Sequence, residues 1–202
     1  SFPVPFFEAG RPMANMSADG AHFRRLRSVT TSARNRQVAR LALLEELVAR
    51  VEHDVELPTL DIPALRLEAG DRAEIERLAS SVRAHWGLGR GPLANVIALL
   101  ESKGCVVVRL VTESEGIDAY SRWSGPRPVI VLTLDKNDAA RSNFDAAHEL
   151  GHLVMHQDAQ PGSRLAEEQA QMFAAAFLMP VEAIRPELPT RFDLPAFVAL
   201  KQ

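Results

Sequence analysis

The sequence predicts an α+β domain, a small antiparallel sheet of about three strands packed on helices, with a helical region ahead of it. Three observations carry this. From residue 21 to 56 there is no Pro or Gly, and Val38, Leu41, Leu44, Leu47, Val48 and Val51 recur at helical spacing. Between residues 105 and 134, three short runs rich in Val, Ile, Tyr and Trp are separated by polar or Gly/Pro-containing turns, the pattern of a meander. After Asp138 the apolar period returns to that of a helix.

Residues 1–20 carry Pro3, Pro5, Pro12, Gly10 and Gly20 beside a Phe6-Phe7 pair and read as an irregular arm. The helical stretch that follows ends at Pro58 and Pro63. Its first part holds Arg24, Arg25, Arg27, Arg34, Arg36 and Arg40 and no acid, which fits a nucleic-acid backbone or, with the larger share, a solvated helix face. Asp71 is the expected N-cap of a helix to Trp86, and Pro92 opens another that Gly104 closes. Strands are expected at 105–111, 117–123 and 129–134, then helices at 139–156 and 164–179, the last stopped by Pro180. A short helix over 194–201 completes the chain.

With 202 residues, 47% apolar and 24% charged, the chain can bury a core and is neither disordered nor collagen-like. A net charge of -3 excludes a strongly basic nucleic-acid-binding body. Cys105, the one cysteine, sits in the apolar run CVVVRLV and reads as core, which rules out a disulfide scaffold. No apolar run reaches the roughly 18 residues of a membrane span, and SFPVPFFEAGRP lacks the marks of a secretory leader. The expectation is a cytoplasmic protein with no membrane partner.

The segment that carries chemistry is FDAAHELGHLVMH. His148 and His152, four apart on a helix, project from one face and reach a single metal ion. Glu149 stands beside that face, where a carboxylate can take a proton from activated water and deliver it to a leaving amine. A catalytic zinc usually has three protein ligands. Glu167 is the choice for the third, because the next helix carries Ala170, Ala174 and Ala175 and can approach closely where Gly151 leaves room. Glu168 is a rival that points about 100° away. His156 is the other, about 12 Å from His148 along the axis; a helix-end imidazolium or packing behind the ligands suits it better. Gln171, one turn beyond Glu167, is a candidate to hold a ligand in place. Tyr120 is a candidate to stabilise an oxyanion, against the plainer reading that it packs in its strand.

AAHELGHLVMH followed by EEQAQMFAAAFLMP resembles the ImmA/IrrE family of zinc metallopeptidases, with its HELGH helix and a second helix of the type ExxAN.FA..LLMP. The likeness covers residues from about 90 to 180. It implies a zincin-like fold, Zn2+ held by His148, His152 and Glu167, and Glu149 as general base. Gln171 stands where the family usually has Asn; Asn143 replaces a frequent basic residue, for which Arg141 is either a substitute or a surface residue. Residues 1–65 resemble the segment that follows an Xre-like helix-turn-helix domain in many relatives, so the chain is expected to be a piece of a longer transcriptional regulator. The implied division is an arm and helical linker at 1–65, a zincin-like peptidase domain at 66–186 and a connector with a short helix at 187–202. The partners implied are a protein substrate, namely a DNA-binding repressor, DNA through a domain outside this chain, and a second copy of the chain. A zinc-containing sensor or dimerisation module without turnover is the alternative.

Overall fold

The structure is a computed structural model that describes residues 21–23, 31–110, 119–124, 127–133, 138–156 and 163–189, together with 191, 193 and 195. Among these residues the order is β1 (Ala21–Phe23), α1 (Thr31–Asp54), α2 (Arg72–His85), α3 (Val96–Ser102), β2 (Val106–Leu110), β3 (Ala119–Ser124), β4 (Arg127–Thr133), α4 (Ala139–Met155), α5 (Arg164–Leu178) and α6 (Val181–Ile184), then a 3-10 turn at Arg185–Glu187. The fold is α+β. The arm at 1–20, Arg24, Arg25, Arg27, the Pro161-Gly162 loop and, apart from residue 195, the expected helix over 194–201 lie outside the described residues.

The strands form one mixed sheet in the order β1-β3-β4-β2. β3 and β4 make an antiparallel hairpin with Ser121 opposite Ile130, while β2 runs parallel to β4 with Val108 opposite Val131. This corrects the expected antiparallel meander, in which β2 would neighbour β3. The reason lies in β4, whose run Val129-Ile130-Val131-Leu132 is buried throughout. An uninterrupted apolar strand needs cover on both faces and belongs in the interior of a sheet, so it takes β2 and β3 on its two edges.

The second correction concerns residues 21–56, expected to be helical throughout and to lie outside the catalytic core. Among the described residues the helix runs over Thr31–Asp54, and Ala21–Phe23 is a strand paired antiparallel to β3, with His22 opposite Ser121. α1 lies on the sheet. Leu41 is fully buried with Tyr120, Val129 and Val131, and Leu44 and Val48 pack on the same cluster. Arg127 adds polar ties, its Nε donating to Glu52 (2.6 Å) and its Nη1 to the Pro58 carbonyl (2.8 Å). Leu41, Leu44 and Val48 of α1 and the outer face of the sheet thus bury one another.

The opposite face of the sheet meets the main core. Ala119, Ile130 and Leu132 pack there with Ala146, Leu150 and Leu153 of α4, Phe173 and Phe177 of α5, and Ile75, Ala79 and Val82 of α2. Asp71 caps α2 as expected, accepting from the Glu74 amide at 2.7 Å. α3 begins later than Pro92, at an Asn95 cap that accepts from the Ala98 amide (3.0 Å). Buried Arg83 ties α2 to the end of α5 by donating to the carbonyls of Phe177, Gly89 and Gly91 at 2.7, 2.9 and 2.6 Å. Cys105 is buried as expected, and burial pushes its thiol up to about 12, which makes it inert near neutral pH. No helix among the described residues is long and apolar enough to cross a membrane.

Candidate metal centre and active site

α4 and α5 build the centre between them. Asp138 fixes the start of α4 by accepting from the amides of Ala140 and Arg141 (2.9 and 3.2 Å). The two helices meet closely at Gly151, where a Cβ would lie 3.1–3.3 Å from Phe173. This close approach carries the first turn of α5 to the ligand face of α4.

His148 and His152, each 1% exposed, hold their Nε2 atoms 3.2 Å apart. Glu167 closes the triangle, with Oε2 3.3 Å from His148 Nε2 and Oε1 3.4 Å from His152 Nε2. A tetrahedral ion with bonds of about 2.0–2.1 Å sets its donors roughly 3.3–3.4 Å apart, so the triangle fits such an ion without rearrangement. Glu167 Oε1 is buried, with His152 Nε2 3.4 Å away, and lies in the cluster where an ion would satisfy it. Burial works to raise the Glu167 carboxyl, but hydrogen bonding and charge from the His148 and His152 rings outweigh it and hold it well below the usual carboxylate range. It is an anionic donor at neutral pH. Among the described residues these three are the group of His, Cys, Asp and Glu able to hold a metal ion, and three protein donors leave a position open for water or substrate.

Glu149 is fully buried next to this cluster and does not belong to it. Its Oε2 accepts a hydrogen bond from Ser121 Oγ at 2.6 Å. Ser121 comes from β3, where alternation sends Ala119 and Ser121 toward α4 and Tyr120 to the other side.

That alternation decides against Tyr120. Its ring is buried with Leu41, Val129 and Val131 under α1, across the sheet from the donors, and burial pushes its phenol up to about 12. Gln171 is also away from the centre: it is exposed and lines an apolar groove with Met172, Ala175 and Met179. Arg141 sits exposed in the first turn of α4, 3.8 Å from Asp145, about two turns before His148. Asn143 ties α4 to the start of α3 through the Val96 amide (3.0 Å) and the Ala94 carbonyl (3.2 Å). Glu168 is exposed and takes Arg164 Nε at 2.8 Å.

His156 lies outside the donor set and behind it. Its Nδ1 is 3.0 Å from His152 Nδ1, and its Nε2 is 3.0 Å from Gln169 Oε1. Burial first, and the His152 ring second, push its pKa down to about 4, which corrects the helix-end imidazolium to a neutral ring. Ser121 and Gln169 are the site-region residues that the sequence reading missed. Gln169 left a signal, being the polar member of the stripe Ala166, Gln169, Ala170 and Phe173 that α5 buries. Ser121 left only a hydroxyl on a strand whose facing side the sequence did not reveal.

Residues 100–194 match the family model of the IrrE N-terminal-like domain, Peptidase M78. The match covers just under half of the chain, including the whole donor cluster, Glu149 and Ser121, and none of β1, α1 or α2. Over these residues the chain is thus similar to a metallopeptidase module. No curated protein matches the chain.

Proposed function

We propose that the protein is a zinc-dependent endopeptidase that cleaves a DNA-binding repressor, and that it acts as the effector part of a transcriptional regulator. The observation that carries the reading is a division of labour among carboxylates. Glu167 completes a three-donor cluster with His148 and His152, whereas Glu149, buried beside it, stays outside the cluster on a hydrogen bond from Ser121. A site built only for structure is closed by four ligands and has no use for such a carboxylate. Two imidazoles and one carboxylate with an open position suit zinc. When bound, the ion supplies the Lewis acidity that activates water and polarises the scissile carbonyl. Glu149 is the general base: it takes the proton of the attacking water and returns it to the departing amide nitrogen. Ser121 restrains the Glu149 carboxylate so that one oxygen stays on its hydroxyl and the other is directed to the reaction.

The resemblance of the HELGH and EEQAQMFAAAFLMP segments supports a repressor as substrate. The test is incubation of the zinc-loaded protein with helix-turn-helix repressors encoded beside its gene, followed by mass analysis. The expected result is one discrete cut that Glu149→Gln slows by about 100-fold or more with its zinc content unchanged. Glu167→Ala should weaken zinc by about 10-fold or more, and Glu168→Ala should leave it unaltered. Equal cleavage by zinc-replete Glu149→Gln rejects the mechanism. Intact repressors, together with undisturbed regulation by Glu149→Gln in cells, would favour a sensor.

A further inference from the structure

We infer that His156 is a positioning residue of the metal centre, the middle link of a directed hydrogen-bond chain that runs from His152 through His156 and Gln169 to the backbone carbonyl of Gly70. The inference rests on the metal-binding reading above and extends it to residues that neither the motif nor the family match assigns.

The direction of the chain follows from donor and acceptor chemistry. With an ion in the donor cluster, His152 would offer it the lone pair of Nε2, which keeps its proton on Nδ1. Nδ1 lies 3.0 Å from His156 Nδ1, which must therefore accept, placing the His156 proton on Nε2. That proton is donated to Gln169 Oε1 at 3.0 Å, leaving the Gln169 amide nitrogen to donate to Gly70 O at 3.3 Å. The far end fixes the sense: a carbonyl only accepts, and a flipped Gln169 would set two oxygens face to face. Each link thus selects the tautomer of the next, and the ring of His152 is held both in protonation and in orientation.

The groups are shielded from solvent. His152, His156 and Gln169 are 1%, 4% and 5% exposed, so water does not substitute for a lost link. Gly70 is fitted to its end of the chain: it adopts φ +70°, and a Cβ there would lie 2.5 Å from Gln169 Nε2, so only glycine lets the amide reach the carbonyl. Its backbone is anchored in turn by Glu74, whose carboxylate accepts from the amides of Glu68, Ala69 and Gly70 at 2.8, 2.9 and 2.6 Å.

The experiment titrates the full apo chain with Zn2+ against a chromophoric chelator and with Co2+ by its visible absorption, and records thermal unfolding of each apo variant. His156→Phe fills the space but offers no acceptor, and Gln169→Met removes the next link. His156→Asn places Oδ1 where Nδ1 was and restores the acceptor. Expected are a loss of about 10-fold to 100-fold in metal affinity for His156→Phe with an altered Co2+ spectrum, a smaller loss in the same direction for Gln169→Met, and recovery of most of both readouts in His156→Asn. Wild-type affinity and spectrum in folded His156→Phe overturn the inference, as does folded His156→Asn that is no better than Phe. Should His156→Phe not fold, Gln169→Met is read in its place, with wild-type affinity and spectrum again the overturning result. A wild-type chain that takes up neither ion defeats the metal reading itself, an outcome distinguishable from one in which the wild type binds and the variants bind equally well.

Discussion

Glu74 gathers three successive backbone amides on one carboxylate, and its ionisation is accordingly tied to the fold. Hydrogen bonds from the amides of Glu68 and Gly70, with that of Ala69, lower its pKa below the ordinary 4.5 against the opposing effect of burial. A carboxyl depressed in the folded state contributes stability that is complete above the unfolded value and is lost as pH falls through the folded one. Glu74→Gln should therefore unfold at a lower temperature than wild type near neutral pH, with the gap narrowing as the medium is acidified below about pH 4.5. Melting curves across that range check it, and a gap independent of pH would contradict it. At this scale the donors were legible, because His148, His152 and Glu167 are set by helical spacing and by a small-residue face opposite Gly151. Ser121, Gln169 and Gly70 were not, since each acquires its role from an element distant in sequence. Tyr120 misled because chemistry suggested a site role while the pleat pointed it the other way.

Among the elements, α1 has two faces of unequal consequence. Leu41 is fully buried on the sheet, whereas Leu47, on the same predicted stripe, is 58% exposed. Leu41→Ala should cost about 2–5 kcal/mol by opening a cavity beside Tyr120, Val129 and Val131. Leu47→Ala should stay within about 0.5 kcal/mol of wild type. Urea denaturation of both separates a docked helix from a free one: equal, small effects would mean that α1 does not rest on the sheet. Helices and caps read well from the sequence because their signals are local, as at Asp71, Asp138 and Pro180. Strand order did not, because the β2–β4 pairing joins segments whose only mark was the uninterrupted apolar run of β4. The short β1 had no signal beyond its lack of helix breakers, which argued for a helix instead.

The molecule as a whole is larger than its recognisable part. The family match ends short of β1, α1 and α2, yet β1 adds a strand to the sheet, α1 covers one face of it and the loop before α2 supplies the Gly70 carbonyl. Native-state hydrogen exchange should find the amides of β1 opening well below the free energy that protects β4, since among the described residues a three-residue strand at the edge has one neighbour and β4 has two. Equal protection would show that β1 opens only with the whole fold. Timing follows from the same pairing. Residues 21–23 wait for their partners 120–122, so at about 5–20 residues per second a ribosome spends roughly 5–20 s making the intervening chain. Throughout that interval the apolar side of α1 has no sheet to lie on. The β3–β4 hairpin, once made, closes within microseconds and supplies both the edge for β1 and the floor for α1. The N-terminal part of this chain is thus made first and finished late, and in the interim its protection falls to whatever meets the nascent polypeptide.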